Sequence, residues 1–210
     1  MTRRVEETAV VLQAASVCLC YPDERVLETL PLVRRAVTEL TAGTPRDQLS
    51  AFLDAVDATS PSELAEHYVA IFDRRRRCCL YLTWWTHGET RRRGGALAAL
   101  KQRYRCAGAE VDHTELPDFL PAVLEYAATV NLTDGLALLQ EHRAGLELLR
   151  LALRDARTPY AAVVEAVCAL LPGPSPSDIA AAKALARTGP PDEQVGLELA
   201  PFTARRENQT

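Results

Sequence analysis

The sequence predicts an all-α fold, a single-domain helical bundle. Three observations carry this reading. Apolar residues recur at three- and four-residue spacing in nearly every segment, and Pro, Gly and capping residues punctuate the chain at helix-length intervals. Only one run, CCLYLTWW at 78–85, has strand-like composition. A lone strand has nothing to pair with, so this run reads as an irregular or short helical crossing through the middle of the bundle.

The elements follow in order. Residues 5–20 carry a broad apolar face (Val10, Val11, Ala14, Val17, Cys18) and stop at Tyr21-Pro22. Residues 24–41 continue with Val26, Leu27, Leu30, Val33, Val37 and Leu40, bent or broken near Pro31 and closed by Gly43. Thr44-Pro45 opens a third helix with Leu49, Phe52, Leu53 and Val56 on one face. Ser60-Pro61-Ser62-Glu63 is a capping box that starts a helix through Phe72. Beyond the central run, a helix spans Glu89 to Ala107 with Leu97, Leu100 and Tyr104 in phase, and another starts at Leu116-Pro117-Asp118. Residues 133–157 read as one long amphipathic helix, Pro159 to Leu171 as an apolar one, and Ser175-Pro176-Ser177-Asp178 caps a last helix. The helical domain is expected over 1–189. From Pro190 the apolar period fades, so 190–210 reads as a mobile tail.

A chain of 210 residues, 48% apolar and 25% charged, is ordinary for a soluble domain. No window reaches 18 uninterrupted apolar residues, so no membrane span is expected. Glu6, Glu7 and Gln13 interrupt an N-terminus that otherwise mimics a signal peptide, and the chain reads as cytoplasmic. Cys18, Cys20 and Cys168 sit in apolar helical patterns, no CxxC occurs, and His67, His87, His113 and His142 are scattered. Neither disulfides nor a metal or other cofactor is expected.

Tyr68 to Gly94 is the most informative stretch. Seven arginines in two runs enclose adjacent cysteines, both tryptophans and a histidine. Trp, Tyr and Arg together suit a recognition surface, since each combines apolar area with a directional polar tip. A buried aromatic turn flanked by solvated arginines is the alternative. The net charge of −4 is uneven: residues 60–105 carry ten Lys/Arg against four acids. Such a patch suits phosphate or nucleic acid, or internal pairing with acidic helices. Because Arg74–Arg77 spans more than a helical turn, some of these side chains must face inward or lie flat, and buried pairing with helix acids is one outcome. Cys78 beside Arg77 has the charge environment of a reactive thiol, which burial in the apolar run opposes. No catalytic constellation is present: G-x-S-x-G, H-E-x-x-H and G-x-G-x-x-G are all absent, and His87 has no partner acid nearby in sequence. The chain does not read as an enzyme.

YVAIFDRRRRCCLYLTWWTHGETRRRGGALAALKQRYRCAG at 68–108, followed by ELPDFLPAVLEYAA, resembles the nitrate reductase molybdenum cofactor assembly chaperones of the NarJ type, within the TorD-like redox-enzyme maturation chaperones. YPDE at 21–24 extends the resemblance toward the N-terminus. The group's Tyr-x-x-Leu-Phe signature is matched by Tyr68, Ile71 and Phe72, with Ile for Leu. Its acidic-Pro-x-Asp-His turn is matched in part by Glu115, Pro117 and Asp118, with Phe119 where the family often has His. The resemblance implies an all-helical cytoplasmic chaperone, not an enzyme. It would bind the N-terminal peptide of the apo catalytic subunit of respiratory nitrate reductase, support insertion of the molybdenum cofactor, and work beside molybdenum cofactor biosynthesis proteins, with no nucleic-acid or membrane partner. For such a peptide, Tyr68, Phe72, Tyr81 and Trp84 are the expected apolar anchors. Asp118 and Glu125 are the expected partners of its basic residues, with Tyr126 and His87 alongside. The groove is expected between the helix ending at Tyr68–Phe72 and the helix starting at Pro117. A helical regulator or nucleic-acid-associated protein using the arginine runs is the competing reading.

Overall fold

The structure, a computed structural model, describes residues 2–88, 90–110 and 115–188. The chain folds as α1 (Thr2–Cys18), α2 (Glu24–Glu39), α3 (Thr44–Asp57) and α4 (Pro61–Tyr68), then a π-helical turn (Val69–Asp73) and a short 3-10 turn (Arg76–Cys78). It continues as α5 (Leu82–His87), α6 (Arg91–Cys106), α7 (Leu120–Thr129), α8 (Leu132–Glu141), α9 (Arg143–Asp155), α10 (Tyr160–Cys168) and α11 (Ile179–Thr188). Among the described residues no strand forms, and the fold is all-α as the sequence predicts. The tail expected at 190–210 lies outside the described residues.

α1 is the central helix. Val11, Leu12, Ala14, Ala15 and Cys18 are buried on it, with Leu19 just past its end, and it packs most extensively on α7 and also against α2 and α10. Each buried leucine contributes about 1.5–3 kcal/mol relative to exposure. The helix starts follow local chemistry. Asp23 accepts from the Val26 amide, and Ser60 with Glu63 forms a reciprocal capping box. Asn131 and Asp178 accept from the Asp134 and Ala181 amides.

Four expectations need correction. Of the two outcomes expected at Pro31, the break does not occur: α2 runs through this proline, which is exposed to solvent. The stretch 133–157 is two helices, because His142 leaves helical geometry at φ −99°, ψ 14° and divides α8 from α9. The helix expected from Leu116 begins at Leu120, and Pro117-Asp118 forms the turn before it. Finally, the 78–85 run does find a partner: Tyr81 and Phe119 form an isolated antiparallel bridge, with Leu82 N–H to Asp118 O at 2.9 Å and Leu120 N–H to Leu80 O at 2.8 Å. On its other side this crossing meets α9 at Gly145, where an added Cβ would lie 2.8 Å from Trp85 Cβ.

The buried charges are not those of the arginine run: Arg74 to Arg77 are all exposed. Instead Glu147, fully buried on α9, receives Arg143 at 3.0 Å and Arg150 at 2.6 Å. These arginines also donate to the carbonyls of Pro172 (2.8 Å), Gly173 (3.2 Å) and Pro176 (2.5 Å), while Ser175 Oγ donates to Glu147. Two arginines on one helix thus hold the segment that leads into α11. Glu147→Gln leaves two buried guanidinium groups without their carboxylate and is expected to cost about 3–5 kcal/mol in denaturant-induced unfolding.

His67 and His142 are both held below the ordinary histidine value of 6.5, mainly by burial; Arg75 adds to this at His67, while Glu141 and Asp118 oppose it at His142. A folded state that binds these protons more weakly than the unfolded chain keeps their stability contribution above pH 6.5 and loses it as pH falls through the lowered values. The melting temperature is therefore expected to decline below pH 6.5. A His67→Gln/His142→Gln variant should flatten the slope between there and the carboxylate range, as measured by thermal denaturation across pH.

Candidate functional site

Two open clefts meet on one face of the molecule. The larger, of about 570 Å³, is lined by the end of α1, the turn into α2, the π turn, the 79–81 crossing and residues Glu115 and Phe119. The second, of about 440 Å³, is lined by α1, the end of α6 and the outer side of α7. Cys20, Glu115 and Phe119 belong to both, so the two form one continuous groove.

The floor of the larger cleft is an aromatic cluster. Tyr68 packs on Phe72 with ring centroids 4.7 Å apart and edge-on to Tyr21 at 5.4 Å. Phe72 and Tyr68 both meet Tyr160 of α10, at 4.8 and 5.9 Å. The buried Tyr68 hydroxyl donates to Leu19 O at 3.2 Å, fixing α4 to the end of α1. The widened turn after Tyr68, where Arg74 N–H reaches Val69 O, buries Ile71 in the core and leaves Phe72 half-exposed on the cleft wall. Such π turns are frequent at functional sites.

The opposite wall depends on Asp118. This carboxylate is fully buried; its Oδ2 accepts from the Thr83 amide (3.1 Å), from Thr83 Oγ1 (2.5 Å) and from Arg93 (3.4 Å). The same guanidinium lies over the Tyr81 ring, 5.6 Å from its centroid, and Phe119 packs beside Tyr81 at 5.4 Å. Asp118 therefore holds the Tyr81–Phe119 wall from behind and does not face a ligand, contrary to the role expected of it. Its burial and its inward partners account for the difference.

The rim is acidic. Asp23, Asp73 and Glu115 line the larger cleft and Glu110, Glu115 and Glu125 the smaller; all are exposed. Cys20 lines both clefts together with these acids, and burial, then the carboxylates of Glu125, Asp23 and Glu115, push its thiol up to about 11. Arg25 is the basic residue among the described lining. Apolar Tyr21 and Val130, 48% and 45% exposed, stand at the lips.

Of the expected site residues, Tyr68, Phe72, Tyr81, Glu125 and Tyr126 line the groove. The Tyr126 hydroxyl is engaged with Asp134 at 2.6 Å, so this residue offers the groove its ring. Trp84 and His87 sit on α5 and do not line it. Trp84 packs edge-on to Trp85 at 4.9 Å. Sequence reading passed over Tyr21, Asp23, Glu115 and Phe119 as site residues, although the YPDE turn and the ELPDF stretch carry them. Cys78 is buried and Cys79 half-buried, and burial raises both thiols, so Cys78 is not an activated nucleophile. Among the described residues no cluster of His, Cys, Asp or Glu is arranged to hold a metal ion, and no helix is long and apolar enough to cross a membrane.

A family model described as nitrate reductase delta subunit matches residues 38–165. The nitrate reductase-like protein NarX of Mycobacterium tuberculosis (strain H37Rv) is 43% identical over 162 residues, covering 76% of this chain and 24% of NarX. The chain thus spans about a quarter of that relative's length. The probable nitrate reductase molybdenum cofactor assembly chaperone NarJ of Bacillus subtilis (strain 168) is 31% identical over 162 residues, 77% of this chain and 88% of that protein. The Escherichia coli (strain K12) chaperone of the same description is 32% identical over 117 residues, 56% of this chain and 50% of its own length.

Asp118→Asn keeps shape but removes the charge that faces Arg93. It is expected to lower stability by about 1–3 kcal/mol, the range for a weakened buried charged hydrogen bond, and to loosen the Tyr81 wall. Chemical denaturation should show the loss, and near-ultraviolet circular dichroism the altered aromatic packing, with helix content unchanged.

Proposed function

The chain belongs to the nitrate reductase delta subunit family, and on that footing we propose that it is a chaperone of nitrate reductase assembly. In this reading it works in the cytoplasm, holds the apo catalytic subunit by its N-terminal peptide, and keeps that subunit competent to receive its molybdenum cofactor, with cofactor biosynthesis proteins as further partners. It is a binding protein and carries no catalytic step of its own.

The observation that carries this reading is the continuous groove with an aromatic floor and an acidic rim. An amphipathic helix would lay its apolar face along Tyr68, Phe72, Tyr81 and Phe119 while basic side chains meet Asp23, Glu115 and Glu125. The smaller cleft would let the peptide continue along α7 past Tyr126. Because the rim acids are exposed, each contributes modestly to affinity and more to the rate and orientation of capture.

Titrating the purified chain by calorimetry with a synthetic peptide of the cognate catalytic subunit's N-terminal segment tests the proposal. Saturable binding is expected. Glu115→Gln/Glu125→Gln should weaken it roughly three- to tenfold and flatten its salt dependence, as expected for two exposed charges. Tyr81→Ala removes an anchor and is expected to weaken it about thirtyfold, the scale of a hot-spot truncation. Binding unchanged in both variants would move the groove elsewhere, toward Trp84–His87; absence of binding by the native chain would overturn the function.

A further inference from the structure

The arginine run is left unexplained by the groove. Arg74 to Arg77 follow directly on Phe72 and Asp73, which line the larger cleft. All four are exposed, yet their backbone is held at both ends: Arg74 N–H reaches Val69 O at 3.2 Å, Cys78 N–H reaches Arg75 O at 2.8 Å, and Ile71 and Cys78 are buried on either side. Several arginines elsewhere in the chain are neutralised internally. Arg34, Arg93, Arg103, Arg143 and Arg150 each reach a carboxylate. Arg74, Arg75 and Arg77 reach none among the described residues, while Arg76 also interacts within the chain. At Arg74, Arg75 and Arg77 the fixed turn displays like charges close together, and self-repulsion there has no carboxylate among the described residues to offset it.

We infer that this turn is the second half of the client site, and that it takes an acidic stretch of the polypeptide whose basic amphipathic part lies in the groove. The inference rests on the groove being the client site. Contiguity places the turn where a peptide leaving the Phe72–Asp73 end would pass. Charge order chooses the class of ligand. A polyphosphate running from the turn onto the groove would have to cross Asp73, Asp23 and Glu115, whereas a polypeptide can change sign along its length and meet both surfaces favourably. The two patches of opposite sign would then also fix the direction in which the peptide lies.

The experiment compares the native full chain with Arg74→Glu/Arg75→Glu/Arg77→Glu and with the milder Arg74→Gln/Arg75→Gln/Arg77→Gln, each checked for unchanged helix content by circular dichroism. Three probes are titrated: the cognate catalytic subunit's N-terminal peptide, the same peptide with every Asp and Glu changed to Asn and Gln, and a single-stranded oligothymidine. Charge reversal is expected to weaken the unaltered peptide by about tenfold or more at low salt, with a smaller loss in the neutral variant. The amide-substituted peptide should bind native and reversed chains alike. If reversal leaves the unaltered peptide's affinity unchanged while Glu115→Gln/Glu125→Gln still weakens it, the inference falls and the groove stands. If the native chain binds no peptide, both fall. Salt-sensitive oligothymidine binding that disappears on reversal would make the turn a nucleic-acid surface and overturn the inference.

Discussion

The buried carboxylate of Asp118 is the interaction on which the groove depends. One oxygen gathers the amide and hydroxyl of Thr83 and the guanidinium of Arg93, and the flanking backbone supplies the two bridge bonds between 80–82 and 118–120. Burying a carboxylate is costly unless it is paired and hydrogen-bonded; Oδ2 meets both conditions, while the buried Oδ1 has no hydrogen-bond partner among the described residues. The return is register. An irregular segment has no ladder or helix of its own to fix which residue faces out; the Asp118 contacts decide that Tyr81 and Phe119 do so. The rest of the wall follows, because Arg93 can sit over Tyr81 only while it is drawn toward the same carboxylate.

The molecule handles charge in three distinct ways. Inside, Glu147 and two arginines form a satisfied cluster that fixes backbone carbonyls ahead of α11. Around the groove, carboxylates are left exposed at the edge of an aromatic surface, where under the proposed function they would guide and orient a basic peptide. On the turn after the π helix, arginines are displayed outward from a fixed backbone. Exposed charges add little to stability but much to the rate and orientation of encounter, which is what the proposed capture of a peptide would require.

Much was legible in the sequence. The helix pattern stood in the apolar periodicity, and the Ser60-Glu63 box and the Asp178 cap mark helix starts that the structure keeps. Of the residues that chemistry and resemblance single out, Tyr68, Phe72, Tyr81, Glu125 and Tyr126 line the groove, while Trp84, His87 and Asp118 do not. Local signals are short-range by nature. They report which face of a helix is apolar and where a helix begins, and both survive tertiary assembly because packing reinforces them.

What tertiary structure alone decided is the burial of each charge and the path between helices. An aspartate following Pro117 looks, in sequence, like any surface acid; only the approach of Thr83 and Arg93 makes it a buried strut. Four consecutive arginines look as if some must turn inward, yet all four are exposed, because the run is not one continuous helix: Arg74 follows the π turn and Arg75, extended at φ −110°, ψ 99°, precedes the 3-10 turn. The break at His142 is likewise invisible in a pattern that stays apolar across it. Sequence by itself therefore determined the class of fold and the residue types available to line a groove. Which of the charges are buried and which stand exposed around the groove was set by contacts between residues as far as 105 positions apart, such as the Ser16 hydroxyl bound to Pro121 O, and no local rule carries that information.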